Sequence, residues 1–377
     1  MKVTVPDYYK DFKCIAGECE DTCCAGWQVD VDDASFAYYK TIGGAFGERL
    51  HSVMVEGKKG REGQFRICED GRCPFLNDKN LCDLYNELGE DALCVTCDQY
   101  PRYTCEFGNY KETGIALSCK TAAELILKDN RTPGFFESEN EDSFNGLNNI
   151  DGLLYLNLKK AREKAYEIVW NRDKNIWQRM CELLDFSEGV QKNMKHPDKM
   201  KAYVTSYMPA EIECATLPAN KEISMYHNIW KYYMKQVIIK KEWPLMVKTI
   251  QENHYLKDYE AQTLAFNKYY KDKEYEFENL ITYFLFRYFM KGVFDGDVLT
   301  KVKMGIVSVL MIRQCDIGVW AANGGLTYEQ QVDICHLYSR EVEHSEENFD
   351  SLCKIFSKKS EFKIKSLKLL LNKCKVY

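Results

Sequence analysis

The hydrophobic and polar positions divide the chain into two parts of different character. After about residue 150, apolar residues recur every third or fourth position, as they do on the buried face of a helix. The stretch 150–172 shows this most clearly, with leucine, alanine, isoleucine and valine at that spacing. The pattern predicts helices over residues 150–172, 176–186, 225–247, 255–270, 277–289, 300–315, 328–343 and 349–372.

Before residue 125 the patterns are short and irregular. Residues 27–31 alternate apolar and polar side chains, which is typical of a half-buried strand. Asp32 and Asp33 stand where a helix over 34–39 needs its N-terminal cap, and a further helix is predicted over 116–128. Residues 129–149 are rich in Asn, Asp, Glu, Ser and Gly, and this composition predicts a linker or long loop.

Composition and charge narrow the class of protein. The 377 residues are 45% hydrophobic and 29% charged, as in soluble globular proteins. The net charge of −6 gives no general attraction for nucleic acid or anionic lipid, so neither nucleic acid nor a membrane is expected as a partner. The N-terminus lacks the apolar core of a signal peptide, and no apolar run is long enough for a membrane span. These features predict a cytoplasmic protein, in which thiols stay reduced.

The cysteines are the most informative residues. The chain has 17, and the first 119 residues hold most of them; the densest group is Cys14-x4-Cys19-x3-Cys23-Cys24. Adjacent cysteines do not pair readily in a disulfide, whereas several thiolates can point at one soft ion. Zinc and iron–sulfur clusters both suit thiolate sites, and spacing alone does not choose between them. The alternative is a set of reduced structural cysteines without metal. The later, isolated cysteines are predicted to be small core residues: Cys181, Cys214, Cys315, Cys335, Cys353 and Cys374.

Together these patterns predict a mainly α chain with three segments. A small, irregular, cysteine-rich metal-binding domain is expected over residues 1–125, a linker or long loop over 126–149 and an all-helical domain over 150–377.

Several short motifs in the first part carry a resemblance to a known family. They are Phe12-x-Cys14, CEDTCCAGW at 19–27, CPFL at 73–76, LCDLY at 81–85, TCDQYPR at 96–102 and LSC at 117–119. In order and spacing, over roughly residues 8–125, they resemble the bacterial flagellin lysine-N-methylase family. The doublet of cysteines and the CPFL motif also resemble a wider set of proteins with a zinc- or iron-chelating domain.

The resemblance implies methyl transfer from S-adenosylmethionine to lysine side chains of flagellin, with a [4Fe–4S] cluster or zinc in the cysteine-rich part. Cys94 and Cys97 have Cys-x2-Cys spacing, so Cys94 is a further candidate ligand, while Cys68 and Cys105 fall outside the pattern. Two arrangements stay open: two four-thiolate sites, or one cluster with the remaining cysteines structural. Carried over residue by residue, the family pattern gives as metal ligands Cys14, Cys19, Cys23, Cys24, Cys73, Cys82, Cys97 and Cys119.

Other candidate residues are few. Arg102 can hold a carboxylate, such as that of the donor's methionine moiety, or can form a structural salt bridge. Asp21 can orient a ligand or cap a turn, and the cap is the favoured interpretation. The six histidines show no paired spacing, so none is predicted as a ligand or base, and the catalytic base is not assigned.

The chain also lacks the glycine-rich signature that follows the first strand of a doubly wound methyltransferase domain. The rival hypothesis is therefore a zinc- or iron-binding protein without catalysis, in which the helical domain forms a partner surface.

Overall fold

The structure is a computed structural model, and it describes residues 1–27, 29–57, 63–141, 150–210, 215 and 217–374. A short π-helix, Gln251–Tyr255, connects two of its α-helices. The α-helices are α1 (Asp33–Tyr39), α2 (Gly44–Val53), α3 (Asp83–Leu88), α4 (Val95–Gln99), α5 (Lys120–Leu127), α6 (Gly152–Trp170), α7 (Ile176–Asn193), α8 (Pro197–Ser206), α9 (Ala219–Tyr233), α10 (Glu242–Ile250), α11 (Tyr259–Tyr270), α12 (Tyr275–Tyr288), α13 (Gly292–Asp295), α14 (Val298–Asn323), α15 (Tyr328–Val342), α16 (Glu346–Lys358) and α17 (Ile364–Lys373).

Two small sheets lie in and just after the cysteine-rich part. The first has the strand order β5-β6-β1-β7, with β1 parallel to β6 and antiparallel to β7. The second has the order β2-β4-β3 and is antiparallel. The predicted mainly α chain is thus confirmed, with these sheets added near its start. The strands are β1 (Lys2–Pro6), β2 (Asp30–Val31), β3 (Met54–Val55), β4 (Gly63–Phe65), β5 (Arg102–Phe107), β6 (Tyr110–Ile115) and β7 (Phe135–Glu139).

The predicted start of α1 is confirmed in detail. Asp32 is its N-cap, and the Asp32 carboxylate accepts a hydrogen bond of 2.9 Å from the Ser35 backbone N–H. The strand predicted over 27–31 is shorter in the structure, where only Asp30 and Val31 pair with β4; Gln28 lies outside the described residues. Alternation of side chains therefore marked the right place but overestimated the length of the strand.

The helix predicted over 225–247 is wrong as a single element, because α9 ends at Tyr233 and α10 begins at Glu242. Distant side chains bind the backbone between them. The Val237 N–H donates to Asn348 Oδ1 at 3.0 Å, and the Asn348 amide donates back to the Val237 carbonyl at 2.9 Å. The Ile239 and Lys240 N–H groups donate to the Glu341 carboxylate. These bonds replace the ones that a continuous helix would make.

The helix predicted over 349–372 is also two elements. A 3-10 turn, Ser360–Phe362, separates α16 from α17. Phe362 is fully buried in this turn and packs on Phe356, with ring centroids 4.3 Å apart. Burial of this ring accounts for a bend that an apolar repeat alone does not reveal.

The Asn348 side chain provides a direct test of why α9 and α10 are separate. Asn348→Ala is expected to destabilise the protein by about 1–2 kcal/mol, because the Asn348 side chain, 1% exposed, bonds the Val237 N–H and C=O and the buried Glu341 carbonyl. Asn193→Ala is the control, since the Asn193 amide makes one hydrogen bond, to the Gly189 carbonyl within its own helix. Urea unfolding measures both. Equal and small effects would show that side-chain binding does not hold the α9–α10 segment.

One large core joins the sheet β5-β6-β1-β7 to the helices. It contains Phe107 and Leu117 from the first part of the chain beside the residues of α6, α7, α12 and α14. Glu112 on β6 and Arg162 on α6 form a buried ion pair across the same contact. The predicted domain limits stay a prediction. Within the predicted linker, residues 135–139 form β7, and 142–149 lie outside the described residues.

Helix α14 lies at the centre of this core. Within the described ranges it is the one helix long and apolar enough to cross a membrane, and 83% of its apolar window is buried inside the protein. Burial of that extent is what the central helix of a globular core also shows.

The later cysteines behave as predicted where the structure describes them. Cys315, Cys335 and Cys374 are buried, and Cys353 packs half-buried against the core. Cys181 is buried too, while Cys214 lies outside the described residues.

Candidate functional site

Four of the predicted ligands are neighbours around the start of α5. Cys119 is the residue that precedes α5, and burial raises its pKa to about 11, with Cys19 and Cys14 adding to the effect. Cys14 acts in the same way on the thiols of Cys19 and Cys23. Thiols that perturb one another's pKa lie close together. We call Cys14, Cys19, Cys23 and Cys119 the first thiol group; Cys23 also lies against Cys24, which has the largest effect on its pKa.

The other four predicted ligands form a second thiol group: Cys24, Cys73, Cys82 and Cys97. Burial raises the pKa of Cys73 to about 12, and the nearby Cys24, Cys82 and Cys68 raise it further. Cys24 and Cys73 likewise act on Cys97. The Cys73 N–H donates to the Cys24 carbonyl at 2.8 Å, which fixes the two loops to each other. Cys68 thus lies beside this group although the family pattern leaves it out.

Two hydrogen bonds between thiols set the charge balance of these groups. The Cys23 thiol donates to the Cys24 sulfur; this raises the pKa of Cys23 and lowers that of Cys24 to about 7. The Cys97 thiol stands in the same relation to the fully buried Cys94, whose pKa is lowered. Cys24 is therefore the member of its pair whose thiolate form is favoured, and the thiolate is the form that binds metals.

The thiols are assembled but do not form a ligand shell. In the described parts of the chain, no three Cys, His, Asp or Glu side chains are placed to hold one ion together. The donor chemistry, clustered thiols of which Cys24 and Cys94 have a lowered pKa, fits zinc or an iron–sulfur cluster. The ligand assignment itself stays a prediction.

Asp21 connects the cysteine loop to the helical part of the chain. Its carboxylate accepts from Lys240 Nζ at 2.6 Å, from His336 Nε2 at 2.7 Å and from Arg340 Nη2 at 3.2 Å. We call these four residues the Asp21 junction. The favoured role of Asp21 as a turn cap is wrong, because Thr22 takes that role by accepting from the Cys24 N–H at 3.2 Å.

The charges of the Asp21 junction reach the thiols on both sides. Burial acts to raise the pKa of Asp21, but the hydrogen bond from His336 and the charges of Arg340 and Lys240 outweigh it and hold that pKa well below its usual value. Arg340 also acts to lower the pKa of Cys23 and Cys24. One buried guanidinium therefore stabilises negative charge on the carboxylate and on both thiols.

The side of α15 that faces the cysteine loop is buried and incompletely hydrogen-bonded. His336 and Arg340 are 5% and 0% exposed, and His344 follows two residues after the helix ends. Among the described residues, His336 Nδ1, Arg340 Nε and Nη1, and His344 Nε2 have no hydrogen-bond partner. Unpartnered buried polar atoms are costly, so they are uncommon away from functional sites.

Aromatic rings of the cysteine-rich part cover this surface. Trp27 lies edge-on to His344 with ring centroids 4.4 Å apart, and Tyr100 does so at 5.5 Å. Burial, together with the positive charge of Arg340, lowers the pKa of His344 to about 3. His344 is therefore neutral at physiological pH.

A role for these histidines was not predicted from the sequence, because only the spacing of histidine pairs was considered. His336, Arg340 and His344 recur every four residues, which places them on one face of a helix. That spacing was the available signal. Their partner Asp21 is 315 residues from His336, so nothing local could identify it.

Arg102 stands at the start of β5, where its guanidinium lies over the Phe12 ring, 5.3 Å from the centroid. Within the described residues it forms no ion pair, so the structure does not show the salt bridge considered as an alternative. Cys105, on the same strand, lies near Lys291, Glu112 and Arg162. It belongs to neither thiol group.

These contacts define a class of protein in which a thiol-rich N-terminal part is held by ion pairs against a helical part. Residues 162–370, more than half of the chain, match the FliB lysine N-methylase C-terminal domain, and the chain belongs to that family. The resemblance seen in the cysteine motifs is thereby confirmed at the level of the family.

Three curated relatives match a shorter stretch. Proteins named lysine-N-methylase from Salmonella choleraesuis (strain SC-B67) and Salmonella typhimurium (strain LT2) are each 27% identical over 133 residues, 34% of this chain and 33% of the relative. The flagellar biosynthetic protein FliU of Salmonella muenchen is 27% identical over 133 residues, 34% of this chain and 79% of that protein. The match thus spans about a third of the two methylases. No solved structure matches the chain.

Proposed function

We propose that the protein transfers methyl groups from S-adenosylmethionine to lysine side chains of flagellin in the cytoplasm. The observation that carries this proposal is the family match over residues 162–370. The names of the relatives add support, since two are lysine-N-methylases and one is a flagellar biosynthetic protein.

Methyl transfer to a lysine amine requires mainly that the protein position the amine and the methyl donor. Methyl transfer to an amine requires a neutral nitrogen aligned with the sulfonium methyl group, and a protein supplies this by positioning and by a local environment that removes the amine's proton. The described strands form no doubly wound parallel sheet, so the donor would bind in a different setting from that fold. Arg102 remains our proposed partner for the donor's carboxylate.

The two thiol groups support a resident metal centre, which we propose to be a [4Fe–4S] cluster or zinc. The residues that would hold it are Cys14, Cys19, Cys23 and Cys119 in the first group and Cys24, Cys73, Cys82 and Cys97 in the second, as one centre or two. A bound thiolate centre would supply cross-links between the cysteine loops and α5. Arg340 would then face an anionic centre with N–H groups that lack other partners.

The rival function, metal binding without catalysis, shares this thiol geometry, so the decisive experiment is a transfer assay. Purified protein is incubated with methyl-tritiated S-adenosylmethionine and flagellin, and labelled residues are located by mass spectrometry. We expect label on lysines and none on flagellin whose lysines were first acetylated. Metal-loaded protein that binds no donor and transfers no label would favour the rival function.

A further inference from the structure

A second buried polar cluster lies in the helical part, away from the thiols. Glu222 on α9 is 1% exposed, and its Oε2 has no hydrogen-bond partner among the described residues. The buried hydroxyls of Tyr226 and Tyr259 also lack partners. Burial raises the pKa of the Glu222 carboxylate, and the Tyr259 hydroxyl is close enough to lower it through a weak hydrogen-bond interaction, but the two groups do not meet in good hydrogen-bond geometry. We call Glu222, Tyr226, Tyr255 and Tyr259 the Glu222 cluster.

Burial raises the pKa of all three tyrosines of the Glu222 cluster, and each is close enough to the carboxylate for its charge to raise that pKa further. Tyr226 and Tyr255 are stacked with centroids 6.3 Å apart, and Tyr255 and Tyr259 lie 6.0 Å apart. The Tyr255 hydroxyl is fixed, since it accepts from Trp230 Nε1 at 3.1 Å and donates to Gln314 at 3.0 Å. An acid among tyrosine rings is the environment that attracts an ammonium group, by charge and by cation–π contact.

The cations near Glu222 are engaged elsewhere. Arg313 donates to Asn267 and lies over the rings of Trp177 and Phe266. Lys373 pairs with Glu260 at 3.3 Å. Both influence Glu222 only through space, and burial raises its pKa. The described residues thus leave a buried carboxylate without a bound counter-ion.

A groove runs along the other side of α9. Its volume is about 470 Å³, and its lining includes Trp230, His227 and Gln251. Trp230 bonds to Tyr255, and His227 lies edge-on to the same ring at 5.1 Å. Trp230 and His227 therefore connect the lining of the groove to Tyr255 of the Glu222 cluster.

The backbone between the groove and the cluster is itself unusual. Gln251, which lines the groove, and Tyr255, which belongs to the cluster, are the first and last residues of the π-helix Gln251–Tyr255. Single π-helical turns recur at functional sites. The same turn thus shapes both sides of the boundary.

We propose that the Glu222 cluster binds the primary amine of a lysine side chain whose backbone lies in the groove along α9. The proposal rests on the proposed lysine methylation, for which it supplies the acceptor site. The Glu222 carboxylate would accept hydrogen bonds from the amine, and the tyrosine rings would contact the last methylene groups. A carboxylate there is also placed to take the proton that an ammonium group must lose before its nitrogen can attack a methyl group.

Direct binding of a lysine side-chain mimic tests this site without any methyl transfer. The probe is n-butylammonium, titrated into the full-length protein and followed by saturation-transfer NMR, with n-butanol as the uncharged comparison. We expect saturable binding of n-butylammonium that is at least about tenfold tighter than that of n-butanol. Equal binding of the two probes would overturn the proposal.

Two isosteric variants separate binding from folding. Glu222→Gln is expected to weaken n-butylammonium binding at least about tenfold while the thermal midpoint stays the same or rises, because a buried charge is removed. Glu276→Gln is the matched control: Glu276 is also 1% exposed, but its carboxylate is bonded to Tyr270. It should bind the probe as the wild type does. Wild-type affinity in Glu222→Gln would overturn the proposal.

The transfer assay keeps the two proposals distinguishable. Label transfer to flagellin together with no n-butylammonium binding would leave the methylase function standing and the acceptor site wrong. Binding that depends on Glu222, in a protein that transfers no label, would support the amine site and contradict the methylase function.

Discussion

Asp21→Ala is expected to destabilise the protein by about 3–5 kcal/mol, the cost of removing one partner from a buried ion pair. The Asp21 side chain is 33% exposed, but its partner Arg340 is completely buried and His336 nearly so. Without the carboxylate, the acceptors left to Arg340 among the described residues are the backbone carbonyls of Asp21 and Thr22. The guanidinium cannot reach water, so its charge stays uncompensated. Urea unfolding monitored by circular dichroism gives the change.

Asp185→Ala is a matched control for exposure. The Asp185 side chain is 35% exposed and pairs with Lys368 at 2.6 Å, but Lys368 is itself 24% exposed. Its ammonium group turns to water when the carboxylate is removed, so the expected cost is about 1 kcal/mol or less. Similar losses in both variants would mean that the Asp21 junction contributes no more than a surface pair.

The sequence predicted those elements of the fold that depend on local chemistry. Asp32 begins α1 because its side chain binds an N–H three residues ahead, and that pattern is visible in the sequence. The break between α9 and α10 was not predictable in this way, because Asn348, which binds Val237, is 111 residues further along. Apolar spacing continues through the break, so periodicity gives one helix where the structure has two.

The candidate site was likewise predictable from the sequence only where it depends on local patterns. The thiols could be recognised as a set, because cysteines clustered this densely in a chain with reduced thiols are typical of metal binding. Their neighbours in space could not, because Cys119 lies near Cys14 and Cys19 although it comes from a distant segment of the chain. The Asp21 junction could not be predicted from the sequence either, because it joins the first part of the chain to α15. Contacts between distant segments form the site, and local sequence patterns do not predict such contacts.

The second prediction concerns the metal content of variants at Cys23 and Cys24. The proposed ligand sets place Cys23 in the first thiol group and Cys24 in the second, so the two single serine variants report on the number of metal centres. With two centres, Cys23→Ser and Cys24→Ser each lose about half of the metal. With one centre, one variant loses all of it and the other keeps it. The double variant is expected to lose all metal and to unfold, because the cross-links between the loops disappear with the metal.

Anaerobic purification followed by iron, sulfide and zinc analysis and a visible spectrum measures these outcomes. About four irons and four sulfides per chain would indicate a [4Fe–4S] cluster, and a colourless protein with zinc a structural site. Cys105→Ser is the control, because Cys105 lies on β5 outside both thiol groups, and it should retain the wild-type metal content. Two single variants that each lose as much metal as the double variant would place Cys23 and Cys24 in one centre and refute the grouping. Unchanged metal in the double variant would refute the ligand assignment itself.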